Sequence, residues 1–378
     1  MRRYDYWLCS IPGIGNRSIE KLLGRFGSAK DVYTAKDGEL AELLKEGQLA
    51  EVRNSRRNWI PEKEYEQLKE KGIVFLTRED ADYPDRLMMI PDAPYGIFYK
   101  GTLPSNDILS VAIIGARDCS EYGSYVAGEL GRFLGERGVQ VISGMARGID
   151  GISQEAALLA GGSTTGVLGC GVDICYPKQN QALYYKILER GCILSSYPPG
   201  TLPKAQNFPP RNRIVSGLAD AVVVIEARNK SGTLITVDMA LEQGKEVYVV
   251  PGRITDRLSD GCNGLLKQGA GILLSPEEFL REIRELWEGN RLPVKIERRN
   301  QSVSGMENPK EKSALLKLPE ELQRIYELLD YMPKSVEEIW AKLADGTGIS
   351  ELNIKLMKLC LMDVAVQESN GYFGRKAI

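Results

Sequence analysis

Five segments of this 378-residue chain combine glycines, hydroxyls and cations in spacings that suit phosphate binding. Gly115-Ala116-Arg117 follows the apolar run Val111 to Ile114 and precedes a helical stretch. A strand that ends in Gly before a helix lets backbone N–H groups approach an anion, and the helix start favours negative charge. Arg117 then sits at the carboxyl end of the strand, where α/β folds place ligands; the alternative is a surface Arg tied to a helix terminus. Ser143-Gly144-Met145-Ala146-Arg147-Gly148-Ile149-Asp150-Gly151 is a second such turn, in which Arg147 could touch phosphate or pair with Asp150. Here a structural role for both is the preferred reading.

Leu168-Gly169-Cys170-Gly171-Val172-Asp173 is a third strand broken by glycines, and Lys178 follows at the start of a helix. A cation at a helix start opposes the dipole, so it is better explained by a facing anion than by solvation alone. In 203–217, Lys204, Arg211 and Arg213 surround Phe208 and Asn212 with no acidic residue. Cations beside an aromatic ring suit single-stranded nucleic acid, because charge tracks phosphates and rings stack on bases. The alternative is that both arginines brace the sheet edge and Phe208 is core. Finally, Ser231-Gly232-Thr233 opens a helix, and the hydroxyls of Ser231, Thr233 and Thr236 exceed what one cap requires. Catalytic pairs are scarce: Glu226, Asp238 and Glu242 have no evident partner.

The elements that must position these turns follow from periodicity. Apolar runs at 111–114, 139–142, 165–168, 221–225 and 247–250 alternate with helical stretches at about 121–137, 151–160, 178–190 and 232–243. That alternation predicts an α/β fold: an extended Rossmann-like domain, 79–290, with a predominantly parallel sheet covered on both faces. Residues 1–78 read as a helical domain. There Pro12-Gly13-Ile14-Gly15 precedes a helix from Asn16, and Arg17, Lys21, Arg25 and Lys30 face only Glu20. This resembles a helix-hairpin-helix (SAM-like) unit. Residues 291–317, poor in apolar residues, predict a linker. The last segment, 318–378, reads as three helices and a hairpin, a winged helix, with Ser335 and Glu338 as a capping box. Its seven basic and ten acidic residues make it a poor DNA reader, so a protein-contact role is expected.

Bulk properties narrow the chemistry. The formal net charge is -2, so a DNA site has to arise from local clustering. With no His, Ser-His-Asp triads and imidazole zinc sites are excluded. The seven scattered Cys predict reduced, mostly buried thiols of a cytoplasmic protein. No apolar run is long enough for a membrane span, and neither metal nor cofactor is expected.

Taken in order, Gly115-Ala116-Arg117, 144–151, 168–173, Asn207 to Ile214, 231–236, Val250-Pro251-Gly252 and Gly261 to Ala270 resemble the DprA (Smf) family of DNA-processing proteins. The resemblance covers about 79–290. It implies a non-enzymatic, self-associating protein that binds single-stranded DNA, protects incoming strands in natural transformation and helps place RecA recombinase on DNA coated by single-strand-binding protein. It also implies a basic pocket of Arg117 and Lys178, with Arg211, Arg213 and Lys267 nearby. The phosphate-cradling positions become Gly115, Ser143, Gly144, Ser231, Gly232 and Thr233. Gln154 stands where the family usually has His. Two enzyme readings compete. One is a nucleotide hydrolase resembling the lysine-decarboxylase-like phosphoribohydrolases, whose glycine turn Ser231-Gly232-Thr233 only partly imitates. The other is a nicotinamide enzyme, which lacks its GxGxxG.

Overall fold

Short runs of aliphatic residues with no polar face must be covered on both sides, and this chain stacks them edge to edge. The strands are β1 (Val74–Thr77), β2 (Gly96–Gly101), β3 (Ser110–Ile114), β4 (Gln140–Ser143), β5 (Thr164–Val167), β6 (Cys192–Ser195), β7 (Ala221–Val224), β8 (Glu246–Val249) and β9 (Gly271–Ile272). They form one 9-stranded sheet in the order β1-β2-β6-β5-β4-β3-β7-β8-β9. From β6 to β9 all pairs are parallel; β1 and β2 run antiparallel at one edge. Every residue of β3 to β7 is buried. The computed structural model describes residues 2–289, 319–329, 334–343, 348–362, 364–369 and 372–375. The expected linker at 291–317 and part of the 369–371 turn lie outside them. The chain divides into two units, Met1–Lys295 and Ile296–Ile378.

The first unit opens with helices α1 (Arg2–Ser10), α2 (Asn16–Phe26), α3 (Ala29–Thr34), α4 (Asp37–Ala41), α5 (Glu46–Asn58) and α6 (Pro61–Glu70). Trp7, Leu8, Leu22, Val32, Leu40 and Val52 form their core. One residue before Trp7, Tyr6 packs its ring edge-on against Phe98 of β2, with centroids 5.7 Å apart. The helical part therefore shares a core with the sheet, and the sheet itself starts at Val74, upstream of the expected boundary at 79. Four strands escaped the periodicity reading: β1, β2, β6 and β9. β1, β6 and β9 have four residues or fewer, and the longer β2 begins and ends in Gly, which reads as a turn.

Helix α7 (Asp85–Met88) is tied to the sheet by Arg86, which donates two bonds to the Asp220 carboxylate, both at 2.8 Å. The sheet is then wrapped by α8 (Glu121–Glu136), α9 (Ile149–Leu159), α10 (Gln181–Arg190), α11 (Phe208–Gly217), α12 (Gly232–Glu242), α13 (Asp260–Lys267) and α14 (Pro276–Gly289). Alternation along β3 serves both faces. Ala112 and Ile114 pack with Ile214, Val237 and Leu265, while Val111 and Ile113 pack with Leu130, Ala157 and Phe279. Helices α8 and α9 lie so close that a Cβ on Gly131 would overlap the Ser153 carbonyl. Gly131→Val is therefore expected to lose about 1–3 kcal/mol by overpacking, read as a lower urea midpoint at an unchanged slope.

The second unit comprises α15 (Glu320–Leu328), β10 (Lys334–Ser335), α16 (Val336–Leu343), α17 (Ile349–Leu361), β11 (Ala365–Ser369) and β12 (Tyr372–Arg375). Its antiparallel sheet has the order β10-β12-β11, in the element sequence of a winged helix. The expected capping box forms reciprocally: Glu338 N–H donates to Ser335 Oγ at 3.2 Å, and Ser335 N–H to the Glu338 carboxylate at 3.1 Å. All seven Cys are free thiols. No helix among the described residues is long and apolar enough to cross a membrane.

Candidate functional site

The chain reverses its direction of travel across the sheet at β3, which has β4 on one side and β7 on the other. At such a switch point the loops leaving adjacent strands diverge and open a crevice at their carboxyl ends. A cleft of about 710 Å³ lies there, lined by Gly115, Arg117, Gly144, Phe208, Arg211, Asn212, Arg228, Ser231, Gly232 and Thr233. A second hollow of about 660 Å³ continues from it past Arg117, Phe208 and Arg211 to Arg147, Tyr176 and Lys178. The turns singled out in the sequence thus come together around one continuous depression.

Arg211 anchors the floor. Pro209 and Pro210 start α11 where their missing N–H groups cost nothing, and this places Arg211 within the first turn. The side chain is buried: one guanidinium nitrogen donates to the carbonyls of Gly144, at the end of β4, and Val167, the last residue of β5, the latter at 2.8 Å. Its Nε has no partner. A Cβ on Gly144 would overlap the guanidinium, so this position requires glycine for close approach. Asp150 accepts the Gly144 N–H at 3.1 Å. Burial pushes the Asp150 carboxyl above its usual range, opposed by the Arg211 charge and by hydrogen bonds. Burial likewise pulls Arg211 down, with Asp150 opposing and Arg117 adding to the shift.

Above this floor the site is aromatic and cationic. Two guanidinium groups approach the Phe208 ring, with Arg117 at 5.7 Å and Arg211 at 5.6 Å from its centroid. Tyr176 adds a second ring 5.6 Å away, tilted by 31°. Arg117, Lys178 and Arg228 are exposed and make no ion pair among the described residues. Arg147 is exposed and faces Asp118 at 3.4 Å, not Asp150 as the sequence suggested. Lys178 lies in a 3-10 turn, Lys178–Asn180, that precedes α10 and so shortens the expected 178–190 helix.

Several expected contacts are committed elsewhere. Ser143 is fully buried and donates its hydroxyl to Ile113 O at 2.6 Å, so it braces two strands. Arg213 reaches Pro91 O at 3.2 Å and the Glu242 carboxylate at 2.8 Å, away from the cleft lining. Lys267 is an exposed residue in the last turn of α13 and does not line either hollow. Of the three hydroxyls at α12, Thr233 bonds Gly115 O at 3.2 Å and Thr236 bonds Gly232 O at 3.4 Å. Only Ser231 Oγ is buried without a partner. Gln154 is a buried brace, accepting from Met145 N–H at 3.2 Å and donating to Thr165 O at 3.0 Å. Glu226, weighed as an acid or base, accepts from the Ser120 N–H at 2.9 Å and from its hydroxyl.

The sequence reading missed Arg228, Tyr176 and Asp118. A cation four residues beyond the last residue of β7 was a fair signal for Arg228, by the same logic that found Arg117. Tyr176 pairs with Phe208 across 32 positions of chain, which no local pattern encodes.

The family model of DNA recombination-mediator protein A matches residues 74–284. The chain belongs to the DprA (Smf) family. It is 36% identical over 287 residues to the DNA processing protein DprA of Streptococcus pneumoniae, across 74% of this chain and 97% of that one. It is 35% identical to Protein Smf of Synechocystis over 74% of this chain and 72% of its relative. The X-ray structure of the Streptococcus pneumoniae DprA superposes with a TM-score of 0.65 over 74% of this chain and 97% of that chain, at 34% identity. A structure describing the single-stranded DNA binding mode of DNA processing protein A from Helicobacter pylori superposes with a TM-score of 0.52. It covers 57% of this chain and 96% of that one, at 32% identity. The family match starts at the first residue of β1 and ends inside α14, and so spans the strands that build the cleft.

Proposed function

We propose that this chain is a DprA-type DNA-processing protein that holds single-stranded DNA in the cleft at the carboxyl ends of β3, β4, β5 and β7. The observation that carries the reading is the Phe208–Tyr176 pair set among Arg117, Lys178 and Arg228. Exposed cations with no acidic partner suit a phosphate chain, and the exposed Tyr176 ring beside the half-buried Phe208 ring suits unpaired bases. Backbone groups at the start of α12 and the free Ser231 hydroxyl offer further anion contacts. Of the residues singled out in the sequence, Gly115, Arg117, Gly144, Arg147, Lys178, Phe208, Arg211, Asn212, Ser231, Gly232 and Thr233 form this interface, with Gly144 and Arg211 acting from below as supports.

The role that follows is that of a binding protein, not an enzyme: it protects incoming strands during transformation, self-associates, and passes DNA to RecA recombinase in the presence of single-strand-binding protein. The hydrolase alternative is not favoured, since Glu226 caps α8 through Ser120 and Asp150 is engaged by Gly144. Gel-shift titration with single-stranded and duplex DNA, alongside an assay for nucleotide hydrolysis, tests the assignment. Single-strand affinity is expected to fall steeply as salt rises, with a log–log slope of roughly -2 to -3 for three or four phosphate contacts on single strands. A flat salt response would contradict it.

A further inference from the structure

We propose that the loops leaving β7 and β8 form a basic ledge that extends the cleft sideways and binds the phosphate backbone of longer single strands; this rests on the cleft itself holding single-stranded DNA. Strands β7 and β8 pair in parallel, so loops 225–231 and 250–259 leave at the same end of the sheet as the cleft. The two loops are laced together. Ala227 N–H donates to Leu258 O, and Gly261 N–H donates to Ala227 O, both at 2.8 Å. Ala227, Arg228 and Leu258 also line the cleft, so the ledge begins at the cleft margin. Arg228 and Arg257 each stand one residue from the Ala227–Leu258 bond, on neighbouring loops. Lys230 and Arg253 add one further cation to each loop.

All four cations are exposed and make no ion pair among the described residues. The acids of the two loops are spent on other groups. Glu226 is buried and accepts from the Ser120 N–H at 2.9 Å, and Asp256 accepts from the Leu258 N–H at 3.0 Å. In a chain of net charge -2, four unpaired cations on two adjoining loops are a local excess that attracts phosphates. Lys230 also has a φ of 62°. That left-handed conformation is costly for a residue with a long side chain, and Gly or Asn would adopt it more readily. The exposed Lys230 side chain braces nothing in the fold, so an external anion explains a cation kept at a strained turn position. Neither loop contains an aromatic residue, so the ledge lacks a platform for stacking bases. It reads sugar and phosphate without sequence preference, and only for strands long enough to reach past the cleft.

The test uses the full chain, with fluorescence anisotropy on two oligothymidines, one of about six nucleotides to fill the cleft alone and one of about twenty. Arg253→Ala with Arg257→Ala is expected to lower affinity for the long strand at least about fivefold and to flatten its salt slope, with short-strand affinity held within about twofold. Lys230→Asn is expected to weaken long-strand binding while the melting temperature stays the same or rises, because Asn tolerates the left-handed turn. Unchanged long-strand affinity in the double variant overturns the proposal. An equal loss on both lengths also overturns it, by moving the contact into the cleft. Ile254 is 91% exposed in the turn that Asp256 N–H closes on Arg253 O, so self-association through this loop is checked alongside by light scattering. A long-strand loss that comes with a changed mass in solution assigns the loop to a protein contact and overturns the ledge. Short-strand binding by the parent protein reports on the cleft alone, so failure of the ledge and failure of the cleft assignment are told apart.

Discussion

Changing Arg117 and Lys178 together to Ala is expected to weaken single-stranded DNA binding about a hundredfold at low salt, with the melting temperature nearly unchanged. Each side chain is exposed, and the structure commits neither to an ion pair among the described residues. Removing them leaves no buried partner unsatisfied. Each charge-assisted contact with a phosphate contributes about 1.5–3 kcal/mol, so losing two gives at least 3 kcal/mol, or about two decades in the dissociation constant. The salt slope should fall by roughly one for each cation removed. Titration of both single variants and the pair, at several salt concentrations, checks this. If the pair binds as tightly as the parent, the cleft is not where the phosphates lie.

Arg211→Ala should behave in the opposite way, losing stability first and DNA affinity as a consequence. Truncation strands the Gly144 and Val167 carbonyls and leaves Asp150 buried without its compensating cation. Removing one partner from such an arrangement costs about 3–5 kcal/mol, a large part of the stability of a typical domain. Arg211→Lys is not expected to restore it, because one ammonium cannot reproduce the planar guanidinium reaching two strand ends while stacking on Phe208. Urea unfolding followed by tryptophan fluorescence, with DNA titration on the same samples, separates the cases. An Arg211→Ala protein of parental stability that fails to bind DNA would mean Arg211 is itself a DNA contact and not a support.

The two predictions diverge although Arg117 and Arg211 sit on the same Phe208 ring. Similar residues in similar motifs acquired different tasks because one is at a loop tip and the other within the first turn of a helix that packs on the sheet. The same division applies to Arg213, two residues farther along α11. Its contacts with Pro91 and Glu242 make it a clamp between segments distant in the chain. Ser143 and Thr233 show the same trend for hydroxyls, both being spent on backbone carbonyls of the β3 strand and its turn.

Much of this protein was legible before its structure. The parallel core strands, the helices between them, the glycine turns at their carboxyl ends and the capping box at Ser335 all follow from short-range rules: continuous apolar runs, 3.6-residue periodicity, turn chemistry, and capping. Those rules act over a few residues, so a sequence carries them directly. The location of the cleft was also implied, because a parallel sheet that reverses direction opens at one end. What only the tertiary structure decided is which cations remain free. Whether an Arg faces solvent or two buried carbonyls depends on contacts 44 and 67 residues away, as for Arg211 with Val167 and Gly144. Composition and spacing are blind to such pairs, since desolvation and hydrogen bonding are settled by three-dimensional neighbours. Sequence therefore located the glycine turns around the cleft, and the packing of the sheet left Arg117, Lys178 and Arg228 exposed there with no ion pair among the described residues.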